Sequence, residues 1–177
     1  MPSPVSQIPS PQCGALVPDV EGATHAYFGA APGCWALYGE VLAREYSDYR
    51  FARLHRLTVD SYAVQHPGRP ERRAIQSVAV HLIGLHVSLE QTGAERPFEP
   101  LLQAAADASA SYRWLEPPES LGAVTVVDVH RAGDDPEAHL AAVREWAASA
   151  WAAWSPYHDQ VRAWAAALIR RRPSGRR

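Results

Sequence analysis

The chain contains no lysine; all 17 of its basic residues are arginine. That absence excludes Schiff-base chemistry, and with it pyridoxal-phosphate and lysine-aldolase mechanisms, which need an amine nucleophile. It also excludes a phosphate-binding loop ending in Lys-Ser/Thr. Cysteine is scarce: Cys13 and Cys34 are the only two in 177 residues, too few for a disulfide framework. Long apolar runs are missing as well. The most apolar late stretch, Trp146 to Trp154, is too short to span a bilayer and follows Arg144 and Glu145. Residues Met1 to Pro11 carry neither a basic leader nor an apolar segment of the secretory kind, so the expected location is cytoplasmic, with no membrane partner.

What is present is an ordinary globular balance, 47% hydrophobic and 20% charged, in a length suited to one domain. The formal charge of -2 conceals a segregation. The tail from Arg170 to Arg177 holds five of the 17 arginines and no acid, leaving 12 arginines against all 19 acids in residues 1–169, a formal -7. An acidic body does not suit nucleic acid, whose binding is dominated by phosphate neutralisation. The basic tail, 170–177, reads as a flexible, solvated end.

Residues 1–22, rich in Pro, Ser and Gly, read as an extended arm. Helices are expected at about 34–46, 50–66, 70–91 and 98–111. The second stops at Pro67-Gly68 and the third opens at Pro70. The run Ala123 to Val129 is β-branched and strand-like, although a lone strand has little to pair with. Asp135-Pro136-Glu137 then supplies an N-cap, a first-turn proline and an early acid, and Ser155-Pro156 repeats the signal. The last helices are expected at about 136–154 and 156–171. The expected fold is all-α: a single domain, 23–169, of five or six helices, with the arm and one short extended segment near 123–129.

Several histidines fall where apolar residues belong. In the third helix Ile75, Val78, Ala79, Leu82, Leu85 and Leu89 form one face that includes His86. Ser77, His81, Gly84 and Ser88 form a small or polar flank suited to a pocket wall. In the second helix Phe51, Leu54, Thr58, Val59 and Tyr62 define an inner face holding both His55 and His66, with Asp60 opposite. His55 and His66 lie about 16 Å apart along the axis and cannot share one metal ion. The short Pro67–Pro70 link makes these helices an antiparallel hairpin, which sets His55 level with His81. Convergence of His55 and His81, with Tyr62 nearby, would suit acid–base work. The tryptophan-rich face of the last helices (Trp146, Trp151, Trp154, Trp164) reads as core. His139 and His158 flank it in first turns, where exposure is common.

Cys13, His25 and Cys34 supply two soft thiolates and an imidazole, the ligand types zinc prefers. Structural zinc takes four ligands. The Cys-x-x-Cys partner of Cys13 would sit at position 10, which is Ser10. The site is therefore either three-liganded, completed by a distant residue or water, or one that has lost a ligand. His66, at a helix end beside a turn that the arm could cover, is the candidate completing ligand.

The blocks Pro11-Gln12-Cys13-Gly14-Ala15, Thr24-His25-Ala26-Tyr27, Pro32-Gly33-Cys34-Trp35 and His55-Arg56-Leu57-Thr58-Val59-Asp60 carry a resemblance. So do Tyr62-Ala63-Val64-Gln65-His66-Pro67, Gln76 to Leu82, Thr125 to Val129 and Trp146 to Trp154. Over about residues 11–165 the chain resembles an uncharacterised bacterial family defined only as a domain of unknown function. Members often begin Cys-Pro-x-Cys-Gly, from which Ser10 departs. A weaker, fold-level similarity is to metal-binding helical bundles of the DinB/YfiT type. The paired Glu-x-x-His motifs of di-iron bundles are missing.

Three functions follow as expectations. The first is a helical protein binding a transition metal, zinc favoured, through Cys13, His25, Cys34 and His66; if it is an enzyme on a small molecule, His55, Tyr62 and His81 move or orient protons. The second is a metal-free small-molecule binder or enzyme, with His55 and His81 meeting in an interhelical pocket and the two cysteines far apart. The third is an interaction module using the arginine tail or the tryptophan face.

Overall fold

The computed structural model describes residues 6–91, 98–108 and 111–171. The chain opens with a small antiparallel hairpin, β1 (Gln7–Pro9) and β2 (Leu16–Pro18), in which Ile8 faces Val17. The arm is thus folded rather than simply extended. Its tight loop is closed by Gly14 N–H donating to Ser10 C=O at 2.9 Å, with Gln12 and Gly14 both at φ 70°. Val17 is buried inward, whereas Leu16 faces out at 57% exposure. The hairpin lies against the first helix, α1 (Pro32–Ser47), which begins with proline in its first turn. Gly33 permits this approach, because a β-carbon there would collide with the Pro18 carbonyl oxygen.

A single turn, α2 (Tyr49–Ala52), is capped by Asp48, whose carboxylate accepts from Arg50 N–H at 2.8 Å. Leu54 then leaves the helical region (φ -120°, ψ 18°), and α3 (His55–Gln65) begins. The helix expected at 50–66 is therefore two pieces. The course of α3 is set by its packing against α4 (Arg72–Glu90) and α7 (Pro136–Ala153) more than by local propensity.

After α5 (Phe98–Asp107), the strand-like run is corrected: Val126–Arg131 is a short helix, α6. Thr125 and Asp128 cap it reciprocally, the carboxylate accepting from Thr125 N–H at 2.8 Å and the threonine hydroxyl from Val127 N–H at 3.3 Å. Helix α7 starts on the Asp135-Pro136 signal, and a 3-10 turn, Ser155–Tyr157, leads into α8 (His158–Arg171). The architecture is an all-α domain with one small hairpin. Of the basic tail, residues 172–177 lie outside the described residues, as do residues 1–5 of the arm. No helix among the described residues is long and apolar enough to cross a membrane.

The core runs along α3, α4 and α7 through Tyr62, Leu82, Val143, Trp146 and Trp154, all without exposure. Each large apolar side chain buried in this way contributes about 1.5–3 kcal/mol. The indoles also make polar links: Trp146 Nε1 donates to Gln65 Oε1 at 2.7 Å and Trp154 Nε1 to Val64 C=O at 3.1 Å. At the far end of α4, Glu90 accepts from Trp151 Nε1 at 3.0 Å and from Arg162 Nη2 at 2.8 Å, tying α4 to α7 and α8. The Arg162 guanidinium, helped by Trp151 and His86, holds the Glu90 carboxyl down to about 2 from 4.5. A depressed acid adds stability that is complete above the unfolded value and is lost as pH falls through the folded one. Acid titration should therefore show a Glu90 contribution disappearing between about pH 4.5 and 2, and Glu90→Gln should flatten the stability curve in that window. An unchanged slope would rule the contribution out.

Candidate metal centre

Three distant pieces of chain bring their donor atoms together. Cys13 lies in the hairpin loop, Cys34 in the first turn of α1, and His66 at the C-terminal cap of α3. Their ligand atoms all lie within 4.8 Å of one another. The two sulfurs are 4.0 Å apart, and Cys34 Sγ is 3.4 Å from His66 Nε2. Tetrahedral zinc with ordinary bond lengths separates two thiolates by about 3.8 Å and a thiolate from an imidazole nitrogen by about 3.5 Å. The two edges that meet at Cys34 are close to those of such a site, and the third, from Cys13 Sγ to His66 Nε2, is within 4.8 Å. His66 Nδ1–H donates to the Tyr62 carbonyl at 2.8 Å, which fixes the tautomer and turns the Nε2 lone pair toward the sulfurs.

The thiols polarise each other. Hydrogen bonding from Cys34, with the His66 imidazole nearby, brings the Cys13 thiol down to about 4 despite its burial. Cys34 is pushed up by donating to Cys13 and by burial. Tyr62, wholly buried, is raised by desolvation and by the neighbouring Cys34. Its hydroxyl donates to Cys34 Sγ at 3.7 Å while its ring stacks on Tyr38 at 3.8 Å. It therefore serves these thiols as a hydrogen-bond donor, with its proton retained.

Ser10, at 1% exposure, completes the surroundings. Its hydroxyl accepts from Ala31 N–H at 3.1 Å, at the cap of the helix that carries Cys34. His25 does not join the group. It lies in an aromatic cluster, stacked on Phe28 at 4.3 Å with Tyr27 edge-on at the same distance, and burial lowers its basicity. The two cysteines are adjacent, contrary to the separation that a metal-free reading required.

His55 and His81 turn to different carboxylates. His55 Nδ1 meets Glu45 Oε2 at 2.6 Å; the same buried Glu45 accepts from Thr58 Oγ1 at 2.5 Å and from His139 Nε2 at 3.0 Å. His81 Nδ1 lies 2.7 Å from Asp60 Oδ1. Asp60, expected on the outer side of its helix, has no exposure and also binds Arg56. Gly84 makes room for it, since a β-carbon there would overlap the Asp60 carboxylate, 2.8 Å from its Cγ. The exposure expected of His139 and His158 is not observed either. His139 is fully buried, and half-buried His158 stacks on Trp151 at 3.8 Å.

Residue patterns give no sign of Glu45 or Gly84 as parts of these networks. The one available hint is a carboxylate on the otherwise apolar face of α1 that carries Cys34, Tyr38 and Val41. No curated protein and no solved structure matches the chain. The match to a family model extends over residues 8–155, which takes in the hairpin loop, the first turn of α1 and the end of α3. The chain belongs to that family, described as a family of unknown function (DUF5946).

Proposed function

We propose that the chain binds one zinc ion through Cys13 Sγ, Cys34 Sγ and His66 Nε2, and that the ion fastens the hairpin to α1 and the end of α3. The observation that carries this reading is the triangle of donor atoms, whose 4.0 and 3.4 Å edges suit tetrahedral zinc. Two thiolates with one imidazole favour zinc over hard cations. The Tyr62 carbonyl holds His66 in the ligating tautomer, Cys13 is the thiol held down, and a bound zinc would take the place of the proton that Cys34 keeps. The fourth position falls to a water or to the Ser10 hydroxyl. Cys34 and His66 have no exposure and Cys13 has 9%, so the site is closed, as structural zinc sites are.

Metal analysis of protein purified without an affinity tag tests this. The wild type should carry about one equivalent of zinc, and Cys34→Ala and His66→Ala less than about a tenth. Wild-type protein that holds less than a tenth, and gives no thiolate-to-metal absorption on titration with cobalt(II), would overturn it.

A further inference from the structure

A second constellation stands apart from the cysteines. A groove of about 360 Å³ runs beside α4, lined among the described residues by Tyr27, Arg73, Gln76, Ser77 and His81, and closed at one side by Ala106 of α5. Ser77 and His81 are one turn apart on α4 and present their side chains to the same space. His81 is held from behind. Its Nδ1 is 2.7 Å from Asp60 Oδ1 and 3.5 Å from Arg56 Nη2. One nitrogen cannot donate to the carboxylate and accept from the guanidinium together, and the shorter, charge-assisted contact to Asp60 decides. Nδ1 therefore carries the proton, and Nε2 is the atom left for the groove.

Asp60 is wholly buried and already paired with Arg56, whose Nε lies 2.9 Å from Oδ2. That carboxylate fixes the imidazole through Nδ1 and leaves Nε2 as an acceptor. Ser77 adds the independent sign of a ligand: it is 8% exposed, and its hydroxyl has no hydrogen-bond partner. Buried hydroxyls are ordinarily satisfied, and a lone one at a groove wall is a group awaiting a partner. Gln76 is otherwise engaged, its Nε2 donating to Ala106 C=O at 2.8 Å. No acid lines the groove among the described residues, while Arg73 stands at its edge.

We propose that this groove binds a small molecule bearing a phosphate or carboxylate group, held by Arg73, the Ser77 hydroxyl and His81, whose Nε2 accepts a hydrogen bond from a protonated oxygen of that group. The site makes no use of the cysteines and stands or falls independently of zinc binding. Asp60 is its positioning residue, fixing the imidazole through Nδ1, and the glycine at 84 is what admits that carboxylate.

Titration of isotopically labelled full-length protein with inorganic phosphate and, separately, with succinate tests the assignment by NMR. The expected result is a saturable shift of the His81 ring nitrogens and the Ser77 amide, at a Kd of about 1–10 mM for at least one anion. Whichever anion saturates identifies the ligand class. His81→Gln and Arg73→Gln should each weaken binding roughly tenfold, while Arg113→Gln, on a different surface, should leave it unchanged. Arg73 is exposed, so its variant keeps the test valid should His81→Gln fail to fold. No saturable shift from either anion up to about 50 mM, or equal weakening by Arg113→Gln, would overturn the proposal.

Discussion

Ser10→Cys should raise the affinity of the chain for zinc by at least roughly 100-fold. The hydroxyl it replaces is buried to 1% exposure, sits three residues before Cys13 across a tight turn, and accepts from Ala31 N–H at the cap of the helix that carries Cys34. A sulfur at that position enters the space where a fourth tetrahedral ligand belongs. It needs little backbone adjustment, because the loop is shaped by the positive φ of Gln12 and Gly14. Competition against a chromophoric chelator measures the gain, under reducing conditions that keep the introduced thiol from forming a disulfide with Cys13. Cobalt(II) spectra should shift at the same time toward a three-sulfur pattern. An affinity equal to the wild type's would mean that position 10 does not face the metal, and the three-ligand geometry would need another completing group.

The largest loss of stability is expected from Gly84→Ala. Overpacking alone costs about 1–3 kcal/mol. Here the new methyl would meet the carboxylate of Asp60, a fully buried charge held by Arg56 and His81. Displacing a buried charge from its partners costs about 3–5 kcal/mol. The combined effect is a large share of the ~5–15 kcal/mol available to a domain and should lower Tm by roughly 10 °C or more. A double-mutant cycle identifies the cause. In an Asp60→Ala background the carboxylate is gone, so the second substitution should cost much less than it does in the wild type. Additive losses would place the damage in α4 packing and remove Asp60 from the explanation.

Much of the helical plan is legible in the chain, and the reason is local. Pro136 and Pro156 mark helical starts, Pro70 comes two residues before α4 begins, and Asp135 is a cap whose carboxylate accepts from Glu137 N–H. Val126 to Val129 misleads because β-branched residues suggest strands, yet Thr125 and Asp128 stand at the capping-box spacing and their hydrogen bonds decide for helix. Position 60 misleads for a different reason. Helical projection assumes one face in solvent, whereas α3 buries nearly every residue from Leu57 to Gln65. With no outer face, an acid placed opposite the apolar stripe is simply handed to another neighbour. His55 and His81 do not converge because level along a helix pair says nothing about rotation. Each ring turns to a buried carboxylate, one of them on α1. Cys13, Cys34 and His66 stand out by ligand chemistry alone. His25 shares that chemistry, and its place among aromatic rings depends on a loop no spacing rule describes.

The enclosure of α3 also has a bearing on how uniquely the chain folds. Thr58 meets Glu45 on α1, Asp60 meets His81 on α4, and Gln65 meets Trp146 on α7 while holding the 121–124 segment. Apolar contacts tolerate a slip of one helical turn, since leucine follows leucine along such faces. These contacts do not. A displacement of about 5.4 Å would strand a carboxylate or an amide in the interior without a partner. Each surrounding helix is thereby assigned one alignment against the central one, and mispaired bundles of similar hydrophobic content become costly. The polar residues along α3 act as an addressing system for assembly, telling every neighbour where to stop.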